Sequence, residues 1–233
     1  MIRRVMVLLT VFLFALIFCR LIGGYSELQE LRPLALHYVM QGPAELGAPN
    51  IVTGILITYR GFDTLGEVAV LFMVAASVGA LLKNESSAGA AVVEDDSDPR
   101  REPGEIVRTG KQVLLPMILT FGAYVIVNGH LSAGGGFQGG AIVASGGMMM
   151  MLARPGAELN VALLSVIESL AGVIYVCIGI LGLVLAGGFL DARFLPRGEF
   201  GAFFSAGAIP LISALLGIKV GAELSVIIDR FRS

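Results

Sequence analysis

The sequence predicts an all-α integral membrane protein with about six transmembrane helices. Of its 233 residues 56% are hydrophobic and only 15% are charged, and the mean hydropathy is +0.85. Soluble domains of this length rarely have such a composition. The apolar residues fall in runs of roughly 15–25, which is the length that an α-helix needs to cross a bilayer.

The predicted spans, in chain order, are Val5–Leu21, Leu65–Leu82, Val113–Val127, Gly140–Leu152, Val161–Ala186 and Ala202–Ile218. The first follows a basic start, as in a signal peptide, but its apolar body is longer than usual and no clear cleavage site follows. We therefore expect a retained helix. The apolar segment Asn50–Tyr59 is too short to span, so we expect a re-entrant or interfacial segment near residues 50–60.

The distribution of basic residues predicts the orientation. Eleven of the 16 Lys and Arg residues fall on one side if both termini are cytoplasmic. This matches the excess of basic residues in cytoplasmic loops. We expect a multi-pass protein of the inner (plasma) membrane. The net charge of −2 and the lack of a basic patch predict no nucleic-acid partner.

A polar, charged stretch with two prolines interrupts the apolar pattern after Lys83. This break predicts a two-span unit at residues 1–83, a cytoplasmic linker at 84–112 and a four-span domain at 113–233.

The first motif with candidate functional residues is NIVTGILITYRGFDTLGE, residues 50–67. It places Arg60, Asp63 and Glu67 at the mouth of an apolar helix. Two interpretations stay open. Thr64 and Glu67 fit a capping box, and Asp63 suits a helix start. Alternatively Asp63 and Glu67, four residues apart on one helix face, bind or relay a cation, and Arg60 tunes their proton affinity.

The second motif is NGHLSAGGGFQGG, residues 128–140, which breaks an apolar stretch. No strand precedes it, so a phosphate-binding loop is not indicated. Gly136 and Gly140 form a GxxxG pair typical of helix packing. In the alternative interpretation His130 titrates beside a polar cavity, with Ser132 and Gln138 as hydrogen-bond partners.

Charged groups also occur in the later helices. Glu168 lies about seven residues inside the fifth span, where a lipid-facing carboxylate would be costly, so it is a candidate for an ion path or a structural hydrogen bond. Lys219 and Glu223 are four residues apart just beyond the predicted last span, and we expect a surface ion pair. The sequence has no Cys/His cluster with metal-ligand spacing, and it predicts no metal, cofactor or catalytic centre.

Two stretches of the chain resemble known families. HLSAGGGFQGGAIVASGG, residues 130–147, and GIKVGAELS, residues 217–225, resemble the B subunit of Mrp/Mnh multisubunit sodium/proton antiporters, although Ala133 replaces the usual Pro and Glu223 replaces a small residue. GAPNIVTGILITYRGFDTLGE, residues 47–67, resembles the C-terminal part of the large A subunit of the antiporter, which corresponds to the free-standing E subunit of membrane-bound hydrogenases.

The resemblance implies an accessory subunit that contributes to a sodium or proton path in a larger membrane complex. Its partners would be other antiporter-module subunits, and in the hydrogenase-type case redox subunits as well. In that family the acidic residue that matches Glu67 is implicated in ion transport. Whether the complex is redox-driven stays open, and so does the alternative that the subunit is purely structural.

Overall fold

The computed structural model describes residues 2–26, 30–88, 104–153 and 159–232. The chain forms two compact units, residues 1–37 and 38–233, which are described separately. The α-helices in the described ranges are α1 (Ile2–Gly23), α2 (Pro33–Met40), α3 (Gly42–Leu46), α4 (Ile51–Gly54), α5 (Gly61–Ala88), α6 (Glu105–Val127), α7 (Gly136–Ala153), α8 (Val161–Ala186) and α9 (Ile209–Arg232).

The predicted all-α membrane fold is confirmed. Among the described residues, six helices (α1 and α5–α9) are long and apolar enough to cross a membrane, and none of these residues forms a strand. The segment expected near residues 50–60 is a short two-part helix, α4 followed by a π-helix at Ile55–Tyr59. In the first unit, α1 is exposed along its whole apolar length, as expected for a helix that lies against lipid or another subunit.

The position of the last span differs from the prediction of Ala202–Ile218, because α9 begins at Ile209 and continues to Arg232. The residues before Ile209 do not have helical backbone conformations, because a right-handed α-helix requires negative φ angles. Positive φ angles occur at Gly198, Gly201, Ala206 and Gly207. Pro210 then occupies the first turn, where its missing N–H costs nothing. The predicted end at Ile218 was wrong because Lys219 is buried within the helix.

Helix α9 is the centre of the second unit. It contacts α5, α6, α7 and α8, and about two thirds of its apolar stretch is buried. Glycines on α7 allow the closest approach: a Cβ at Gly136 would lie 2.5 Å from the Ser213 carbonyl oxygen, and one at Gly140 would lie 2.8 Å from the Gly217 carbonyl oxygen. Small residues on α7 thus let it pack directly on the α9 backbone, as in many membrane helix pairs.

The ends of the helices in the second unit meet in one cluster of loops. The backbone N–H of Asn50 donates to the backbone carbonyl of His130 at 3.0 Å. The Arg197 guanidinium donates to the backbone carbonyl of Ala44 at 3.1 Å. The segment before α5, the α6–α7 loop and the α8–α9 loop therefore lie at the same end of the bundle. At the other end, α5 and α6 extend into the predicted linker 84–112, of which residues 89–103 lie outside the described residues.

Candidate functional site

The first carboxylates of α5 lie beside a cleft near the loop cluster. Asp63 forms an ion pair with Arg60, three residues earlier, and both side chains are about half exposed. Glu67 lies one turn further along α5, and its exposed side chain lines a cleft of about 210 Å³. No ion pair in the described part of the chain holds Glu67, so in this structure Arg60 pairs with Asp63 and leaves Glu67 facing the cleft.

The wall of this cleft comes from both sequence motifs. Thr53 and Thr64 line one side and Gly134–Gly136 with Gln138 line the other. Sequence reasoning singled out the two motifs separately, and the structure brings them together around Glu67. Apolar side chains, among them Val52, Leu56 and Phe137, make up the rest of the lining, so the hydroxyl, amide and carboxylate groups form a small polar patch in a cleft that is otherwise mostly apolar.

The capping-box interpretation of Thr64 is wrong. Helix α5 begins at Gly61, three residues earlier, so Thr64 lies inside it. Its buried hydroxyl instead donates to the Leu56 carbonyl at 2.7 Å, across the turn that joins the π-helix to α5. A π-helix leaves backbone carbonyls displaced from the regular ladder, and such segments often occur at functional sites. Thr64 therefore fixes the entry to α5 and lines the cleft at the same time.

Asn50 fastens the glycine-rich loop to the start of α4. Its side-chain oxygen accepts hydrogen bonds from the Val52 and Thr53 amides and so caps the helix. Its amide nitrogen lies 2.7 Å from the carbonyl oxygens of both Gly129 and Ser132. These bonds satisfy the loop carbonyls, and they position one wall of the cleft against the other. Sequence reasoning missed Asn50, although its place before a short apolar run is a helix-cap signal.

His130 does not line this cleft. It is buried, and its Nε2 lies 3.1 Å from the Phe203 carbonyl oxygen, so it connects the α6–α7 loop to the α8–α9 loop. Its Nδ1 has no hydrogen-bond partner among the described residues. Gly136 lines the cleft at the start of α7, whereas Gly140 lies one turn further along in the contact with α9.

Glu168 lies in a second site, inside the helix bundle. The Lys219 ammonium is 3.0 Å from a Glu168 oxygen and 3.0 Å from a Glu223 oxygen. All three side chains are buried, and Glu223 is 0% exposed. The expected surface pair Lys219–Glu223 is therefore wrong in its location. These residues lie in the middle of α9, and Glu168 from α8 supplies the second carboxylate that stabilises the buried lysine.

An open groove of about 450 Å³ runs beside this triad. It is lined by apolar side chains of α5 and α8, together with Glu168 and Lys219. The Phe72 ring of α5 lies 5.8 Å from the Lys219 nitrogen, within the range of a cation–π contact. Phe72 is five residues after Glu67, and an α-helix rises about 1.5 Å per residue. The triad therefore lies beside a point on α5 that is roughly 7 Å beyond Glu67.

Two further polar pairs stabilise the loop cluster. Asp191 accepts three hydrogen bonds from the Arg193 side chain. Burial by itself raises the pKa of Asp191. The hydrogen bonds and the positive charge of Arg193 outweigh burial, so the pKa of Asp191 lies below its usual value of 3.8. Tyr59 donates its hydroxyl to Glu45 and stacks on Tyr38, with the ring centroids 4.9 Å apart. Burial, and then the Glu45 carboxylate, raise the pKa of Tyr59.

The described residues hold no group of three or more His, Cys, Asp or Glu side chains arranged to bind a metal ion. What the geometry provides is a carboxylate that lines a cleft, an exposed ion pair about one turn before it and a buried charge triad. Such groups can bind and release a monovalent cation or a proton.

Two family models match the chain. Residues 106–226 match a domain related to the MnhB subunit of the Na+/H+ antiporter, and residues 25–97 match the E subunit of MBH. An uncharacterized protein of Methanocaldococcus jannaschii is 28% identical over 197 residues, which cover 76% of this chain and 74% of that protein. A probable A/B subunit of a K+/H+ antiporter from Rhizobium meliloti is 32% identical over 126 residues, which cover 46% of this chain and 12% of that protein.

Solved structures agree with these matches. A chain of the membrane-bound sulfane sulfur reductase, an archaeal respiratory membrane complex, is 34% identical with a TM-score of 0.80, and the match covers 99% of this chain and 98% of that one. A chain of the Mrp complex from Dietzia sp. DQ12-45-1b also has a TM-score of 0.80 at 22% identity, over 98% of this chain and 26% of that one. The resemblance drawn from the two motifs is confirmed.

Proposed function

We propose that this chain is an accessory subunit of a multisubunit membrane complex and that its Glu67 forms part of a cation path. The chain belongs to the family related to the MnhB subunit of the Na+/H+ antiporter. The observation that carries the proposal is the place of Glu67 in the cleft. It is a carboxylate without a described ion-pair partner, on a membrane helix, facing polar groups from both family motifs. A carboxylate in such a position is expensive unless it serves ion movement or a partner.

The mechanism follows from the different environments of the two carboxylates. Arg60 neutralises Asp63, so this exposed pair carries no net charge and contributes little stability of its own. Glu67 then offers the negative charge that receives the cation or proton in the cleft. The polar side chains that line the cleft, Thr53, Thr64 and Gln138, supply oxygen atoms for partial coordination. The glycine-rich loop holds the cleft wall in place.

The test is a Glu67→Gln variant in the assembled complex, with sodium-dependent proton transport measured in membrane vesicles. The substitution keeps the shape of the side chain and removes its charge, so we expect transport to fall to background while the complex assembles normally. Glu105→Gln is the matched control, because Glu105 is also exposed in the first turns of a membrane helix. Normal assembly with unchanged transport in Glu67→Gln would refute the ion-path proposal.

That refuting result would favour the second candidate, a purely structural subunit. The observation behind it is the tight glycine packing of α7 on α9, together with the exposed apolar surface of α1, which suits contact with other membrane subunits. In that case loss of transport would follow only from variants that impair assembly.

We also propose that the complex is of the redox-driven respiratory type. The support is the match over 98% of a chain of an archaeal respiratory complex, at 34% identity, and the match to the E subunit of MBH. Purification of the complex from native membranes through this chain, followed by mass spectrometry, is the test. Co-purifying redox subunits, of the hydrogenase or sulfur-reducing kind, are expected. Antiporter subunits alone would contradict the proposal.

The two family matches support a proposal for the organisation of the chain. We propose that residues 1–83 form a two-span E-like unit, residues 84–112 a linker and residues 113–233 a four-span B-like domain, which the family matches at 25–97 and 106–226 support. We further propose that both termini face the cytoplasm across the plasma membrane. Without Lys219, which is buried in α9, ten basic residues remain on the cytoplasmic side against five outside.

A further inference from the structure

The buried triad of Glu168, Lys219 and Glu223 has one carboxylate more than its cation can neutralise. Lys219 is the eleventh of the 24 residues of α9, so the triad lies near the middle of a membrane helix. With all three groups ionised, the site would carry a net charge of −1 in a region where a single charge costs about 3 kcal/mol or more. The described neighbours bring no second cation into contact with it.

One atom of the triad lacks a partner. Glu223 is 0% exposed, and its Oε2 pairs with Lys219, but its Oε1 makes no hydrogen bond to any described residue. Glu168, by contrast, is held by Lys219 and borders the open groove. An unpaired oxygen on a fully buried carboxylate makes the ionised form costly, and protonation removes the charge, which is the larger part of that cost.

We propose that the triad binds a single exchangeable proton, carried by Glu223 and exchanged through Glu168 and the groove beside it. In the protonated state Glu223 is a neutral acid and Lys219 pairs with ionised Glu168. When Glu223 releases the proton its carboxylate is restored, and Lys219, which stays protonated throughout, is shared between the two carboxylates. Glu168 takes up the proton and passes it on in transit, so over a complete exchange one proton is gained or lost and only Glu223 ends with a changed charge.

A sodium ion fits this site poorly. Hard metal cations bind through several oxygen ligands, whereas the triad offers two carboxylates with a positively charged ammonium group between them. Helix α7 presents Gly140 towards α9, α6 presents Ile126 and α5 presents the Phe72 ring. The described charged groups that act on Glu223 are Lys219 and Glu168, both members of the triad. The proton is therefore the ligand that the chemistry selects.

The proton site itself is independent of the proposed function, and only its use in transport rests on that proposal. The two are tested separately by infrared difference spectroscopy on the purified complex during a pH jump. The wild-type complex should show the carbonyl-stretch band of a buried protonated carboxyl group. Glu223→Gln should remove that band, whereas Glu67→Gln should retain it, whether or not Glu67→Gln transports ions.

Glu223→Gln mimics the protonated acid, so we expect the complex to assemble. Glu223→Asp is the second variant: it keeps a carboxyl group in a different position, and the band should shift in frequency. A wild-type band that is unchanged in both variants would overturn the proposal, and so would a wild-type complex without any band of this kind. Proton uptake measured with a pH-sensitive dye should fall by one proton per complex in Glu223→Gln.

Discussion

The link that Asn50 makes between α4 and the glycine-rich loop can be separated from its role as a helix cap. Asn50 and Asn160 are both N-cap residues, of α4 and α8 respectively. The Asn160 side chain is exposed and accepts a hydrogen bond of 2.9 Å from the Leu163 amide. Asn50 makes the same kind of cap and in addition donates to the Gly129 and Ser132 carbonyls. The two residues thus form a matched pair.

The expected magnitudes follow from these contacts. Replacing a capping Asn by Ala costs about 1 kcal/mol of unfolding free energy, which is our expectation for Asn160→Ala. In Asn50→Ala the carbonyls of buried Gly129 and half-buried Ser132 also lose their partner, which adds roughly 1–3 kcal/mol. Asn50→Ala should therefore cost about 2–4 kcal/mol in total, by addition of the cap and the two carbonyls.

The assay is thermal unfolding of the purified complex in detergent. For a chain of this length, 1 kcal/mol lowers the melting temperature by about 2–4 °C, so Asn50→Ala should lower it at least twice as far as Asn160→Ala. Asn50→Asp keeps the capping oxygen but not the amide donor, so it should lose only the roughly 1–3 kcal/mol of the loop carbonyls. Equal shifts for Asn50→Ala and Asn160→Ala would refute the reasoning, because the bonds to the glycine loop would then contribute nothing.

Two more outcomes are expected. Gly136→Ala should destabilise the fold by about 1–3 kcal/mol in chemical unfolding, because its methyl group would lie 2.5 Å from the Ser213 carbonyl oxygen. Gly66→Ala is the control, since nothing lies within 4 Å of its Cβ, and equal losses would contradict the packing argument. Asp191→Asn should lower the melting temperature above pH 4. The pairing with Arg193 lowers the pKa of Asp191 below 3.8, so the wild type loses the stabilisation from this pair as acid protonates Asp191. The melting temperature of the variant should therefore fall less than that of the wild type on acidification. Parallel melting curves against pH for wild type and variant would contradict the role of this pair.

The spans that sequence reasoning located well are those with long uninterrupted apolar runs. The fifth predicted span, Val161–Ala186, coincides with α8. The fourth, Gly140–Leu152, was too short, because α7 also includes the glycines from Gly136. Glycine is a poor helix former in isolation, but here its lack of a side chain permits the contact with α9 that stabilises the helix.

The errors concern residues whose partners are distant in sequence or lie in another element. Lys219 marked the end of the last predicted span because an isolated lysine is costly in a membrane. In the structure Lys219 pairs with Glu168, which is 51 residues away in the sequence, and this pairing makes the burial of Lys219 possible. Thr64 fitted a local capping pattern, but its hydroxyl binds the Leu56 carbonyl of the preceding π-helix. Neither partner can be read from a local hydropathy or capping pattern.

The sequence by itself determined that this is an all-α membrane protein with about six spans, because the length and hydropathy of each apolar run are local properties. It also carried the two motifs, including Glu67 and Gly136, that link the chain to its family. The tertiary structure decided that the two motifs share one cleft, that Asn50 joins them and that Glu168, Lys219 and Glu223 form a buried triad. The physical reason is that an unpaired charge is costly in lipid, so buried charges find partners through helix packing, and packing is set by contacts between residues far apart in the chain.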